Sequence, residues 1–156
     1  VGFTVKHMMV TNVHGKFTSY DAKVEFDDAT KTFKKLVANI DTNSMDTGIE
    51  KRDNHLRSDD FFAVEKFPKM TFEMTSYKAD GDDGKMTGNL TIRGITKPVV
   101  LEVEDIAILG DKVGFSIEGK INRQDFDLKW NKAIELGGVA VSDEVKIKVD
   151  IEAKKQ

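Results

Sequence analysis

Cysteine is absent from the 156 residues, which excludes disulfides, thiolate metal sites and a cysteine nucleophile. Charge of one sign is not in excess either. The 24 basic and 27 acidic residues leave a formal net charge of −3 and are spread along the chain, so neither a nucleic-acid footprint nor a basic membrane-binding tract is present. No apolar run approaches the roughly 20 residues that span a bilayer, and no charged start leads into an apolar leader segment. The chain opens on Val1, and an N-terminus processed by removal of a leader is expected. Internal repeats, low-complexity tracts and linkers are missing, so residues 1–156 read as one domain.

Familiar catalytic patterns are missing too. His7, His14 and His55 fall in separate elements with no His-Glu-x-x-His pair, no Gly-x-Ser-x-Gly elbow occurs, and no glycine-rich phosphate loop is found. Asp80, Asp82 and Asp83, with Gly81 and Gly84, lack the spacing and terminal glutamate of a calcium loop. They read as a solvated turn. No metal site is expected.

What is abundant is alternation of apolar and polar residues, which predicts a mainly β protein. Phe3, Val5, His7 and Met9 share one face of a first strand; Phe17–Phe26 and Lys34–Ile40 follow. Met70, Phe72 and Met74 share a face of another strand, as do Met86, Gly88, Leu90 and Ile92. Val113, Phe115, Ile117, Gly119 and Ile121 alternate with polar residues, and Val145, Ile147, Val149 and Ile151 do the same near the C-terminus. The parity slips between Ser19 and Ala22, and again between Val103 and Ile106, which predicts bulges or corners in long, bent strands. Turn signals at Asp80–Gly84, Arg93-Gly94 and Gly110-Asp111 sit at hairpin distances. About eight such strands in meander order predict an antiparallel up-and-down barrel, with a β-sandwich as the alternative.

One segment breaks the pattern. From Asp46 to Ser58 the residues predict a short helix, capped by Asp46 or Thr47, with Glu50 early and Arg57 late to suit its dipole. Ile49, Asp53 and Leu56 would share a side of it. So thin an apolar stripe predicts a lid across one barrel end, packed with Phe61, Phe62 and Phe67.

A barrel of about eight strands is either just filled by side chains or able to hold one small ligand. Six methionines and ten phenylalanines suit an adaptable apolar lining but equally suit a plain core. Gly88 and Gly119 stand at inward parity, where a missing side chain either leaves room or eases a bend. Among polar residues, Arg52, His55 and Arg57 could meet a phosphate or amide head group at the mouth. Alternatively, Arg52 with Asp53 and Arg57 with Asp59 form ion pairs that fix the lid. His7 is a head-group candidate or a satisfied core histidine. Asn122–Asp125 reads first as an Asx turn with an Arg123–Asp125 pair.

Longer blocks carry a resemblance. The run Val5-Lys-His-Met8, then Val13-His-Gly-Lys-Phe17, Asp46-Thr-Gly48, Arg52-Asp-Asn-His-Leu-Arg57 and Asp60-Phe-Phe62 is similar to the YceI-like family of lipid-binding proteins. Phe67-Pro68, Thr87–Pro98, Ile121-Asn-Arg-Gln-Asp-Phe126 and Gly138–Val145 continue it in order. The resemblance implies a lipocalin-like eight-stranded barrel around an elongated apolar tunnel, in a periplasmic bacterial protein, often dimeric, that carries, stores or scavenges polyisoprenoids, isoprenoid quinones or fatty-acid amides. No cofactor and no enzymatic activity are implied, and the partner is a long-chain lipid or isoprenoid. On that fold the tunnel candidates are Phe3, Val5, Met9, Phe17, Ile40, Leu56, Phe61, Phe62 and Phe67 from the N-terminal part. From the remainder come Met70, Phe72, Met74, Met86, Gly88, Leu90, Ile92, Phe115, Ile117, Gly119, Val145 and Ile147. His7, Arg52, His55 and Arg57 are the head-group candidates. Two positions depart from the family pattern: His14 where arginine is frequent, and Asp127 where glycine is usual. A cofactor-free barrel enzyme with His7 or His55 as general base, and a structural domain with a filled core, remain the alternatives at this point.

Overall fold

Alternation yields ten strands and one α-helix among the residues that the computed structural model describes, 1–7, 11–131 and 141–155. The strands are β1 (Gly2–His7), β2 (Thr11–Phe17), β3 (Tyr20–Asp27), β4 (Thr32–Asp41), β5 (Met45–Asp46), β6 (Lys69–Asp80), β7 (Asp83–Ile92), β8 (Ile95–Leu109), β9 (Lys112–Asn122) and β10 (Val141–Lys154); the helix is α1 (Glu50–Arg57). The expected count of eight is therefore too low. The run Phe17–Phe26 is interrupted at Thr18–Ser19, so its first residue ends β2 and the rest is β3, and Met45–Asp46 adds a two-residue strip beside β2.

All ten strands lie in one sheet, in the order β3-β4-β6-β7-β8-β9-β10-β1-β2-β5, so the sandwich alternative falls away. β2 and β3 are neighbours in sequence yet stand towards opposite ends of that order, and the sheet curls until they meet. Main-chain bonds tie the corner, with Asp41 N donating to Ser19 O at 3.0 Å and Thr18 N to Ser44 O at 3.1 Å. The result is a barrel-like shell. The slip predicted in β8 is a bulge between Glu104 and Ala107, with Asp105 at φ 56. Asp127 has φ 62 and caps the 3-10 turn Arg123–Phe126, which accounts for the glycine usual there, since glycine adopts that region without steric cost.

One end of the shell is filled. Phe33 packs edge-on against Phe26, Tyr77 and Phe115 at centroid distances of 4.9, 5.1 and 4.8 Å, while Met86 and Val103 are fully buried beside them. Of the two readings of Gly88 and Gly119, room for a ligand is not what the packing gives. A Cβ at Gly88 would run into the Phe72 ring and approach Glu73 O to 2.5 Å, and one at Gly119 would strike Leu101 Cδ2. Neighbouring side chains already occupy both spaces.

Tyr77 Oη is buried with no hydrogen-bond partner among the described residues, lying over Gly84. Burial, with Asp83 adding to it, raises the phenol above its usual pKa. Because an unsatisfied buried hydroxyl costs about 1–3 kcal/mol, Tyr77→Phe is expected to leave stability unchanged or raise it by about 1 kcal/mol. Urea denaturation checks this; a drop beyond 1 kcal/mol would reveal a partner for the hydroxyl.

The helix starts later than expected and is capped differently. Ile49 is its N-cap and makes no side-chain cap bond. Asp53 instead reaches back, its Oδ1 accepting from Thr47 N at 2.9 Å and Thr47 Oγ1 at 2.5 Å. Ile49 is half exposed and does not join Leu56 on the packed side. Thin as its apolar stripe is, α1 is held by polar staples: Arg57 Nη2 donates to Met45 O at 2.8 Å and its Nε to Asn43 O at 3.3 Å.

Candidate functional site

Between the filled end and α1 the shell encloses a cavity of about 290 Å³. Leu36, Ala38 and Ile40 of β4, Met70 and Phe72 of β6, and Leu90 and Ile92 of β7 form one wall. Val99 and Leu101 of β8, Ile117 and Ile121 of β9, and Val145, Ile147, Val149 and Ile151 of β10 form another. Phe3, Val5, Val13 and Phe17 continue it through β1 and β2, and Tyr20 and Ala22 of β3 complete it. Period-two alternation explains this lining, since residues of one parity all face inward.

The helix end has its own furniture. Phe61 is buried, and its ring centroid stands 5.2 Å from that of His55 and 5.5 Å from that of Trp130. His55 meets Trp130 edge-on at 4.8 Å and its Nε2 lies 2.8 Å from Asp60 Oδ2. Phe62 packs edge-on on Phe17 at 5.7 Å. Arg52 donates through Nε to Thr47 Oγ1 and through Nη2 to Thr47 O, both at 2.7 Å.

Arg123 is the best-bonded side chain of this end. It is 3 % exposed, and its Nε donates to Ser142 O at 2.8 Å, its Nη1 to Trp130 O at 3.0 Å and to Leu128 O, and its Nη2 to Val141 O at 3.1 Å. Burial lowers the guanidinium from its usual pKa and Asp143, 3.8 Å away, opposes that shift. The cation thus locks Leu128 and Trp130 to the start of β10.

Against the residues selected from sequence, Phe3, Val5, Phe17, Ile40, Leu56, Phe61, Phe62, Met70, Phe72, Leu90, Ile92, Ile117, Val145 and Ile147 line the cavity, as do His7, Arg52 and His55. Met9 lies outside the described residues, as do Met8 and Gly138 to Ala140 of the quoted blocks. Phe67 packs over Gly94 instead, after the turn at Ala63–Lys66, and does not line the cavity. Met86, opposite Tyr77, and Phe115, against Phe33, belong to the filled end; Met74 packs against the core without lining the cavity, and Gly88 and Gly119 are covered as described. Arg57 is a staple outside the cavity. Neither an Arg52–Asp53 nor an Arg57–Asp59 pair forms among the described residues, because main-chain carbonyls and Thr47 take those donors. The Asx turn at Asn122 is present, with Gln124 N donating to Asn122 Oδ1 at 2.9 Å, but Arg123 turns inward and not to Asp125.

A family model described as the YceI-like domain matches residues 1–153. The chain belongs to the YceI-like domain family. Protein YceI of Salmonella newport is 38% identical over 161 residues, which take in 100% of this chain and 81% of that protein. The Campylobacter jejuni YCEI protein, a solved structure, is 42% identical with a TM-score of 0.85, covering 97% of this chain and 90% of that one. Burkholderia cenocepacia BcnA aligns at a TM-score of 0.87 and 26% identity over 98% and 94% of the two chains. A polyisoprenoid binding domain from Saccharophagus degradans, at 16% identity and a TM-score of 0.71 over 99% and 92% of the two chains, shares the fold.

Sequence reading of this YceI-like domain missed Arg123, Trp130, Leu101 and the alanines. Signals existed for part of it. Val149 and Ile151 continue the parity of Val145 and Ile147, and Trp130 is the sole tryptophan, a residue type whose large amphipathic ring suits an apolar pocket with a wet edge. For Ala22 and Ala38, paired across β3 and β4, only the register shows that two small residues face the same space.

Proposed function

We propose that this YceI-like domain holds a long apolar molecule inside its shell, as a carrier, store or scavenger. The observation that carries the reading is the cavity of about 290 Å³, walled on nearly all sides by apolar side chains. A structural domain with a filled core would lack it. Burial releases about 0.8 kcal/mol per methylene-sized group, so ten groups offer about 8 kcal/mol before the cost of ordering the ligand. Polyisoprenoids, isoprenoid quinones and fatty-acid amides all meet that description, and the shared fold with a polyisoprenoid binding domain fits it.

Binding is the reading the apolar lining supports best. No serine, threonine or cysteine stands among the described residues of the cavity wall to act as a nucleophile. Among the described residues no helix is long and apolar enough to cross a membrane. A periplasmic location and a homodimeric state belong to the same proposal, on the family's account.

Organic extraction of protein purified from cells, followed by mass spectrometry, is expected to release a long-chain molecule in near-equal amount to protein. Ala38→Phe, which puts a ring into the space beside Ala22, is expected to cut uptake of a fluorescent fatty acid at least tenfold while the thermal melt stays cooperative. A clean extract together with no uptake by the unaltered protein would overturn the proposal.

A further inference from the structure

The charge on the cavity wall is all of one sign. Among the described residues, its only charged or imidazole side chains are Lys6, His7, Arg52, His55 and Arg123, and no aspartate or glutamate lines it. That is unexpected in a chain whose net charge is −3.

These bases are gathered at one end. Arg123 bonds Trp130 O and Val141 O; His7 is paired in register with that same Val141. Lys6 N donates to Ser142 Oγ at 3.3 Å, next to the carbonyl that takes Arg123 Nε. His55 touches the Trp130 ring, and Arg52 lies three residues earlier on α1. The opposite end closes on Leu36, Phe72 and Ile151 towards the aromatic plug.

Not all of these charges are available to a ligand. Arg123 spends its donors on four carbonyls, and His55 faces Asp60. Arg52 differs: its two bonds leave from Nε and Nη2, and Nη1 makes none among the described residues. Lys6 and His7 are exposed at the rim.

We infer, building on the binding role proposed above, that the site selects an apolar chain ending in an anionic, oxygen-rich head group, a carboxylate or a phosphate ester. The head sits among Arg52, Lys6 and His7, and the tail runs from the helix end towards Leu36 and Ile151. Guanidinium forks suit both head groups, and Lys6 adds a second positive charge at the rim. A chain ending in ammonium would meet like charge from Arg52 and Lys6 there.

The test uses the full chain and four ligands with one sixteen-carbon tail: carboxylate, phosphate monoester, alcohol and ammonium, each competing with a fluorescent fatty alcohol. The carboxylate or the phosphate is expected to bind at least tenfold tighter than the ammonium and severalfold tighter than the alcohol, with the tighter anion identifying the head group. Arg52→Gln and, separately, Lys6→Gln are expected to shrink that margin, read within each variant as the ratio of anion to alcohol affinity. Lys6 has no part in stapling the lid, so its variant serves should Arg52→Gln loosen α1. If the alcohol binds and the anions bind no better than the ammonium, the charge inference fails alone. If none of the four binds, the cavity reading falls and takes this one with it.

Discussion

Arg123→Met is expected to lower stability by about 3–5 kcal/mol, because several main-chain carbonyls lose their donor at once. The guanidinium satisfies Leu128 O, Trp130 O, Val141 O and Ser142 O together, and a thioether donates to none of them. Each carbonyl left dry costs about 1–3 kcal/mol, offset where water enters from the mouth. For a domain of this size a loss of 1 kcal/mol moves the melting point by about 2–4 °C, so a fall of roughly 10 °C is expected. Arg123→Lys keeps the charge but replaces a planar fork by three donors on one atom; about half the loss is expected. Emission from Trp130, the only tryptophan, supplies a second readout, because its carbonyl is one of the four acceptors. A melting point within 2 °C of the unaltered protein, with unshifted emission, would show that Arg123 clamps nothing.

Arg123 also marks where sequence reading stops. The run Asn122–Asp125 around it signals a turn, and the Asx bond of that turn was legible. That the side chain then points inward to carbonyls from Leu128 to Ser142 depends on β10 returning beside β9, a register of Glu144 against Asn122 that is set by the whole sheet. Strands with one apolar face and the bulge near Ile106 were readable from parity, and the hairpins at Gly81 and Gly110 from their turn residues. The division of the interior into a filled end and an open end was not. Phe115 and Ile117 share one parity of one strand, yet Phe115 meets the plug of Phe33 and Ile117 faces the cavity. Parity reports which face a residue takes and carries no information on depth along the barrel. The lid was legible as a helix with an apolar residue at Leu56, whereas its fastening through Arg57 to Met45 O and Asn43 O rests on tertiary approach.

The glycines show how much that depth matters. Gly88→Val is expected to cost about 3 kcal/mol, the upper part of the usual overpacking range, because one of the atoms its Cβ would meet is Glu73 O at 2.5 Å. That carbonyl belongs to β6, whose Glu73 and Met74 stand opposite Asn89 and Gly88 in the ladder, so backbone must shift to make room. Gly119→Ala meets only the flexible end of Leu101 and the carbonyl of Val100 at 3.9 Å; about 1 kcal/mol is expected. Gly114→Ala finds nothing nearer than Ile151 O at 3.8 Å, and a neutral or slightly stabilising effect is expected from the freedom removed in the unfolded chain. Denaturant titration should return that order, and a Gly88→Val melt matching the unaltered protein would mean that its space is not occupied. Function should separate from stability along the same series. Leu101 and Phe72 both line the cavity, so the glycines shape it from behind: Gly119→Ala pushes Leu101 inward and is expected to weaken long-chain uptake severalfold at little cost in stability, whereas Gly114→Ala leaves uptake unchanged.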